Sequence, residues 1–344
     1  MREHATMLAP PMPRNTRGLS RNSAPPSSSL KVCTVWVHTG KSDPSARLRA
    51  VLLAAVDASW TLAPGPIVLL GGAALLYALR WRRVRAEAGG RSSHQAMLHA
   101  RRHEAPRWRA LLFALGLTAA AAALISPVDR LSEQALTMHM VQHLLLLDVA
   151  PILGILGLTR VLLRPVTRRF MDLERPVGPL AHPVFAALLY VATMAFWHIP
   201  VLYDAALANS VLHVIEHMTF GIAGALYWWH LLSPIPGRHR LTGMGPVLYM
   251  AGTKIGVGLI GIVITFAPDT LYETYAVQGG IWGMSPGTDQ QVAGALMSVE
   301  QSLIMGAALA WLFVRMLGES QRGDERDERR GAGGGAPDDH PSRT

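Results

Sequence analysis

The sequence predicts an all-α membrane protein of about seven transmembrane helices with disordered N- and C-terminal tails. Three observations predict it. Half of the 344 residues are apolar. Charged residues make up only 16% of the chain and crowd into short stretches between apolar runs. Seven of those runs approach the ~20 residues that a helix needs to cross the hydrocarbon of a bilayer. Backbone polar groups cannot stay unpaired in lipid, so each run must be helical.

The runs lie at 63–81, 108–128, 135–159, 180–200, 210–232, 246–267 and 289–316, within a membrane domain over residues 61–317. Residues 1–60, rich in Pro, Ser and Arg and without a hydrophobic period, read as a disordered tail; an over-extended gene start would also explain them. No apolar core followed by a small-residue cleavage site marks a secretory signal. Pro151 lies inside the third run and predicts a kink there. Residues 318–344, with GDERDERRGAGGGAPDD, read as a solvated cytoplasmic tail.

The net charge of +9 does not point to nucleic acid, because the arginines sit in the loops and act as topology signals facing anionic lipid. The loop after the first run carries nine, from Arg80 to Arg109. The loop after the third carries Arg160, Arg164, Arg168, Arg169 and Arg175, and the loop after the fifth carries Arg238 and Arg240. The alternate loops hold Arg130 alone. This predicts a plasma-membrane protein with the basic loops and the C-terminus in the cytoplasm and the N-terminus outside. The basic N-terminal tail runs against that rule, and the three loops outweigh it.

Orientation gives depth to the histidines. His139 and His143 fall in the first turns of the third span, His198 at the end of the fourth, and His213 and His217 in the first turns of the fifth. Five imidazoles from three helices therefore share the outer half of the membrane, where burying polar rings is costly without a common purpose. Each i, i+4 pair lies on one helical face and suits one metal ion. Gln142 and Glu216 flank these stripes as outer acceptors able to orient the rings. Met138, Met140 and Met218 offer soft ligands nearby. The sole cysteine, Cys33, lies in the tail, so neither a disulfide within the chain nor a Cys pair can serve. His182, His230 and His239 sit toward the cytoplasmic side and read as packing residues.

The last span adds a polar stripe of Asp289, Gln290, Met297, Glu300 and Gln301. Three charges are deep: Asp148, Lys254 and Glu300, of which the first two can neutralise each other or line an ion path.

The segments HMVQH (139–143), WHIPVLYDAAL (197–207), HVIEHMTF (213–220), LYETY (271–275) and TDQQVAGALM (288–297) resemble the multispanning CtaG family of cytochrome c oxidase assembly factors. The resemblance covers roughly residues 60–317. It does not extend to the single-span, Cys-bearing chaperone that shares the CtaG name. It implies a role in maturing a bacterial haem–copper oxidase by supplying copper, and places the family's motif histidines on His139, His143, His198, His213 and His217, and its acidic-amide motif on Asp289 and Gln290. It also leads one to expect an aromatic residue and Pro-Gly after Met297, where this chain reads MSVEQS (297–302).

The function expected is that of an assembly factor that holds copper transiently through the outer histidines and passes it to an oxidase subunit. The alternatives are a haem-binding membrane redox protein, with histidines as axial ligands, a copper or proton transporter using Asp148, Lys254 and Glu300, and a scaffold whose histidines bond between helices. An enzyme is not expected, since no nucleophile elbow, phosphate loop or prenyl-diphosphate motif is present.

Overall fold

The computed structural model describes residues 56–90, 93–167, 178–235, 239, 241–278 and 280–333. The predicted N-terminal tail to residue 55, Cys33 with it, and several basic-loop arginines (Arg168, Arg169, Arg175, Arg238 and Arg240) lie outside them. The structure is 81% helical, with no strand among the described residues.

Helices occupy all seven predicted stretches, but they differ in how well they qualify as spans. Five are long and apolar enough to cross a membrane: α1 (Pro64–Gly89), α3 (Arg107–Ile125), the composite helix Leu136–Leu156, α10 (Gly245–Phe266) and the first part of α12 (Pro286–Gly333). The fourth stretch is broken. α7 (Pro183–Trp197) and α8 (Pro200–Ala208) meet at 75°, and together they qualify as a sixth. Pro200 causes the break, since it lacks an N–H and disfavours helix in the residue before it. The fifth stretch, α9 (Ser210–Leu232), is 23 residues long, yet His213, Glu216, His217 and His230 dilute its apolar character. Short helices α2 (His94–His103), α4 (Pro127–Ser132) and α11 (Glu273–Gln278) fill the connections.

The predicted kink in the third span takes a specific form. α5 (Leu136–Leu144) passes into a π turn, Leu145–Val149, and then into α6 (Ala150–Leu156). Pro151 cannot donate to the carbonyl of Leu147 four residues earlier, so the local pattern loosens into the wider turn. Gly224 of α9 packs directly on that carbonyl, and a Cβ at Gly224 would strike it. Likewise Gly294 of α12 faces α10, where a Cβ would come within 2.7 Å of the Gly261 carbonyl. Small residues at such crossings let helix backbones meet where lipid offers no hydrophobic driving force.

Some loop arginines do more than mark topology. Arg109 donates to the carbonyls of Leu156 and Leu158, and Arg80 to those of Val161 and Leu162, which satisfies acceptors at the end of α6 and beyond. α12 continues to Gly333, past residue 317 where the sequence suggested a solvated tail. Glu and Arg are good helix formers and here recur with opposite charges three and four residues apart, so the helical pattern persists after the apolar run stops.

The core lies where the composite third helix, α7, α9, α10 and α12 meet, with Tyr190, Tyr203, Phe220, Tyr227 and Trp228 fully buried. That leaves two polar centres inside an apolar bundle, one around the histidines and one around Asp148.

Candidate metal centre

α5 and α9 carry the histidines, and each helix is fixed at its start. Asn209 caps α9 by accepting from the N–H groups of Val211 (2.9 Å) and Leu212 (3.3 Å). α5 has no cap of its own. Its first N–H groups, on Leu136 and Thr137, donate to Asp289 of α12 at 2.7 and 3.1 Å, and Thr137 Oγ1 donates to the same carboxylate at 2.6 Å. Asp289 thus sets the position of His139 and His143 from a different span. Gln290 beside it accepts from the N–H of Leu271 (2.7 Å) and donates to the carbonyls of Ile264 and Asp269, pinning the loop that leads to α11. Asp204 of α8 caps α11 in the same way, accepting from the N–H groups of Glu273 and Thr274.

The five motif histidines converge. Ring centroids of His139 lie 4.3 Å from His143, 5.8 Å from His213 and 6.5 Å from His217; His213 and His217 are 4.2 Å apart, and His198 is 5.8 Å from His143. His139, His143 and Glu216 are at most 2% exposed. Glu216, expected at the margin as an orienting acceptor, stands in the middle. Its Oε1 lies 3.5 Å from His139 Nε2 and 3.3 Å from His143 Nε2. Among the described residues, neither Glu216 oxygen nor the Nε2 atoms of His139, His143, His213 and His217 have a hydrogen-bond partner of ordinary geometry.

Tautomers sharpen this. Tyr275 gives its hydroxyl hydrogen to the Ser132 carbonyl (2.6 Å), so toward His139 Nδ1, 3.4 Å away, it can only accept. In the neutral ring with the hydrogen on Nδ1, His139 donates to this oxygen and its Nε2 turns a lone pair toward the Glu216 carboxylate. His198 is fixed likewise: Nδ1 donates to the Met194 carbonyl (2.7 Å), and Nε2 lies 3.4 Å from Met140 Sδ. Lone pairs aimed at a buried carboxylate repel it unless a cation, a proton or a metal ion, stands between them. Two groups of donor atoms, His139–His213–Glu216 and His143–Glu216–His217, lie mutually within 4.8 Å, compact enough to close on an ion.

The other candidates fall elsewhere. Gln142 turns its amide to the Ala123 carbonyl and the Asp129 carboxylate, both at 2.8 Å, and ties α5 to α3 and α4. Met218 is 47% exposed, and Met297 is buried in the apolar core. Asp148 accepts from Tyr190 Oη and Trp228 Nε1, both at 2.8 Å. Lys254 donates to the Ser298 carbonyl at 2.6 Å and feels the charge of Glu300. His182 Nδ1 accepts from the N–H of Val184 and stacks edge-on with His239, as a packing histidine does.

A family model described as cytochrome c oxidase caa3 assembly factor (Caa3_CtaG) matches residues 75–319. The chain belongs to this family. Neither a comparison with curated proteins nor one with solved structures finds a match. The Caa3_CtaG match runs from within α1 to within α12 and takes in every helix between them, so the histidine cluster is part of the family domain. Residues of this domain that the sequence left without a role are Tyr203, Tyr272, Tyr275, Asp129 and Asp204. Tyr203 packs 4.8 Å from the His139 ring and bonds Tyr275; Tyr272 donates to the His198 carbonyl. The signal for four of them was their place inside the LYDAA and LYETY segments beside the histidine motifs.

Proposed function

We propose that the chain binds copper through the cluster of His139, His143, His213 and His217 around Glu216, with His198 as an auxiliary ligand, and supplies it to a subunit of a haem–copper oxidase during assembly. One observation carries the reading: buried imidazole nitrogens and a carboxylate converge with their lone pairs unmet by the described residues. That arrangement suits a cation. Imidazole serves either copper state, while the thioether of Met140 beside His198 favours the cuprous one, so the ion has a soft ligand to exchange onto. The role is that of a donor and not a catalyst. The basic loops support an orientation with the cluster toward the outer face, and an oxidase partner fits a bacterial plasma membrane.

The test is made in cells. With His139→Ala and His143→Ala together, the copper content of the oxidase falls while this protein remains in the membrane at its normal level. Normal oxidase copper in that variant overturns the reading. A strong Soret band in the purified protein would assign the imidazoles to haem instead.

A further inference from the structure

We infer that the cluster is a two-ion site in which the Glu216 carboxylate bridges the metals. This rests on the reading that the cluster binds metal, and it adds the number of ions and the part Glu216 plays.

The geometry points there in three steps. First, His139 pairs with His213 and His143 with His217, so α5 and α9 run in the same sense and present two rungs of imidazoles. Rungs four residues apart are separated by about 6 Å along a helix. Second, an imidazole nitrogen binds such an ion at about 2.0–2.1 Å, so two nitrogens sharing one ion lie no more than about 4.2 Å apart. Among the described residues, the donor groupings near that limit are two triplets, which share Glu216 and no histidine. With the side chains as placed, no grouping among the described residues joins histidines of both rungs, although the i, i+4 rings could reach one ion by rotating. Third, both Glu216 oxygens lack a hydrogen-bond partner among the described residues, and Oε1 already faces a histidine of each rung. A carboxylate with two open oxygens between two His pairs is suited to join ions roughly 3.5–4 Å apart. Each ion then has two imidazoles and one carboxylate oxygen, a donor set for divalent first-row metals.

The experiment uses the full chain in detergent, stripped with chelator and titrated with Cu²⁺ alone. The expected saturation is two ions per chain, with an EPR intensity well below the total copper because the carboxylate couples the spins. The variant carrying His143→Ala and His217→Ala should bind one ion and show full intensity for it. Glu216→Gln should lose the coupling. Saturation of the wild-type protein at one ion, or two ions with full EPR intensity, overturns the bridge and leaves copper supply standing. If the wild-type protein binds no Cu²⁺, both readings fall together. Where Glu216→Gln does not fold, the wild-type stoichiometry and the single-rung variant decide.

Discussion

Two polar centres lie buried along the same pair of helices, and they are built on opposite principles. Around Asp148, in the π turn, the carboxylate has protein donors: Tyr190 and Trp228 each give it a hydrogen bond at 2.8 Å. Around Glu216, one stretch along α9 from Trp228, the carboxylate instead faces the Nε2 atoms of His139 and His143, and among the described residues neither of its oxygens has a hydrogen-bond partner of ordinary geometry. Burying a polar group costs free energy unless a partner compensates. Asp148 has its compensation within the fold, so it holds helices together. Glu216 has no such compensation among the described residues, which is what the proposed ion would supply. Burial alone does not separate the two, since both residues are 0% exposed. The donor count around each does.

The largest effects should separate the centres cleanly. Replacing His139 and His143 by Ala removes a ligand from each triplet and should weaken Cu²⁺ binding by more than the roughly 10–100-fold typical of losing an outer-shell partner. A competition titration against a chelator measures it. Asp148→Ala should leave copper affinity unchanged but lower stability by about 1–3 kcal/mol for each donor left without an acceptor. Thermal unfolding in detergent reads that loss. If Asp148→Ala abolished copper binding in folded protein, the two centres would be one.

Metal should also report on stability. A ligand present at 100 times its dissociation constant stabilises the folded state by about 2.7 kcal/mol. The wild-type protein and the Asp148→Ala variant should both gain a copper-dependent rise in melting temperature, and the histidine variant should gain none. A smaller effect belongs to Asp289→Ala. Loss of a helix cap costs about 0.5–2 kcal/mol, and α5 would lose the anchor that sets its histidines, so copper affinity should fall as well, though less than on removing a ligand. Asp289→Asn, which still accepts hydrogen bonds, should restore most of both.

Much of this was legible in the sequence. Hydropathy located the helices, and the i, i+4 spacing with the topology rule led to the expectation of five histidines at one level; in the fold their rings lie near one another. What stayed hidden was the direction of side chains. Nothing in the spacing told Glu216 from Gln142, since both flank a histidine stripe, yet one faces the rings and the other turns to Ala123 and Asp129. The role of Asp289 was equally unreadable, because it caps a helix 153 residues away. The span count reflects the same polar residues. α9 falls outside the five qualifying spans, with His213, Glu216, His217 and His230 along it, and Pro200 breaks α7 from α8 two residues after His198. Local periodicity reports which face is buried; it carries no information on which buried atoms meet.

The finest distinction between the centres is at Tyr275. Its hydroxyl donates to the Ser132 carbonyl, which leaves an acceptor for His139 Nδ1 and so favours the tautomer whose Nε2 lone pair faces the site. Metal-binding histidines usually have their second nitrogen held in this way, and removing the partner costs on the order of 10-fold in affinity. The 3.4 Å separation makes this a weak hold, so Tyr275→Phe should lie at the low end of that range, with Nδ1 free to take either tautomer. Tyr190→Phe is the matched control: it removes one donor from Asp148 and should cost stability of about 1 kcal/mol while leaving copper affinity alone. If Tyr275→Phe affected only stability, as Tyr190→Phe should, then His139 would be oriented by packing against Tyr203 and not by its hydrogen bond, and the tautomer would be set by the metal itself.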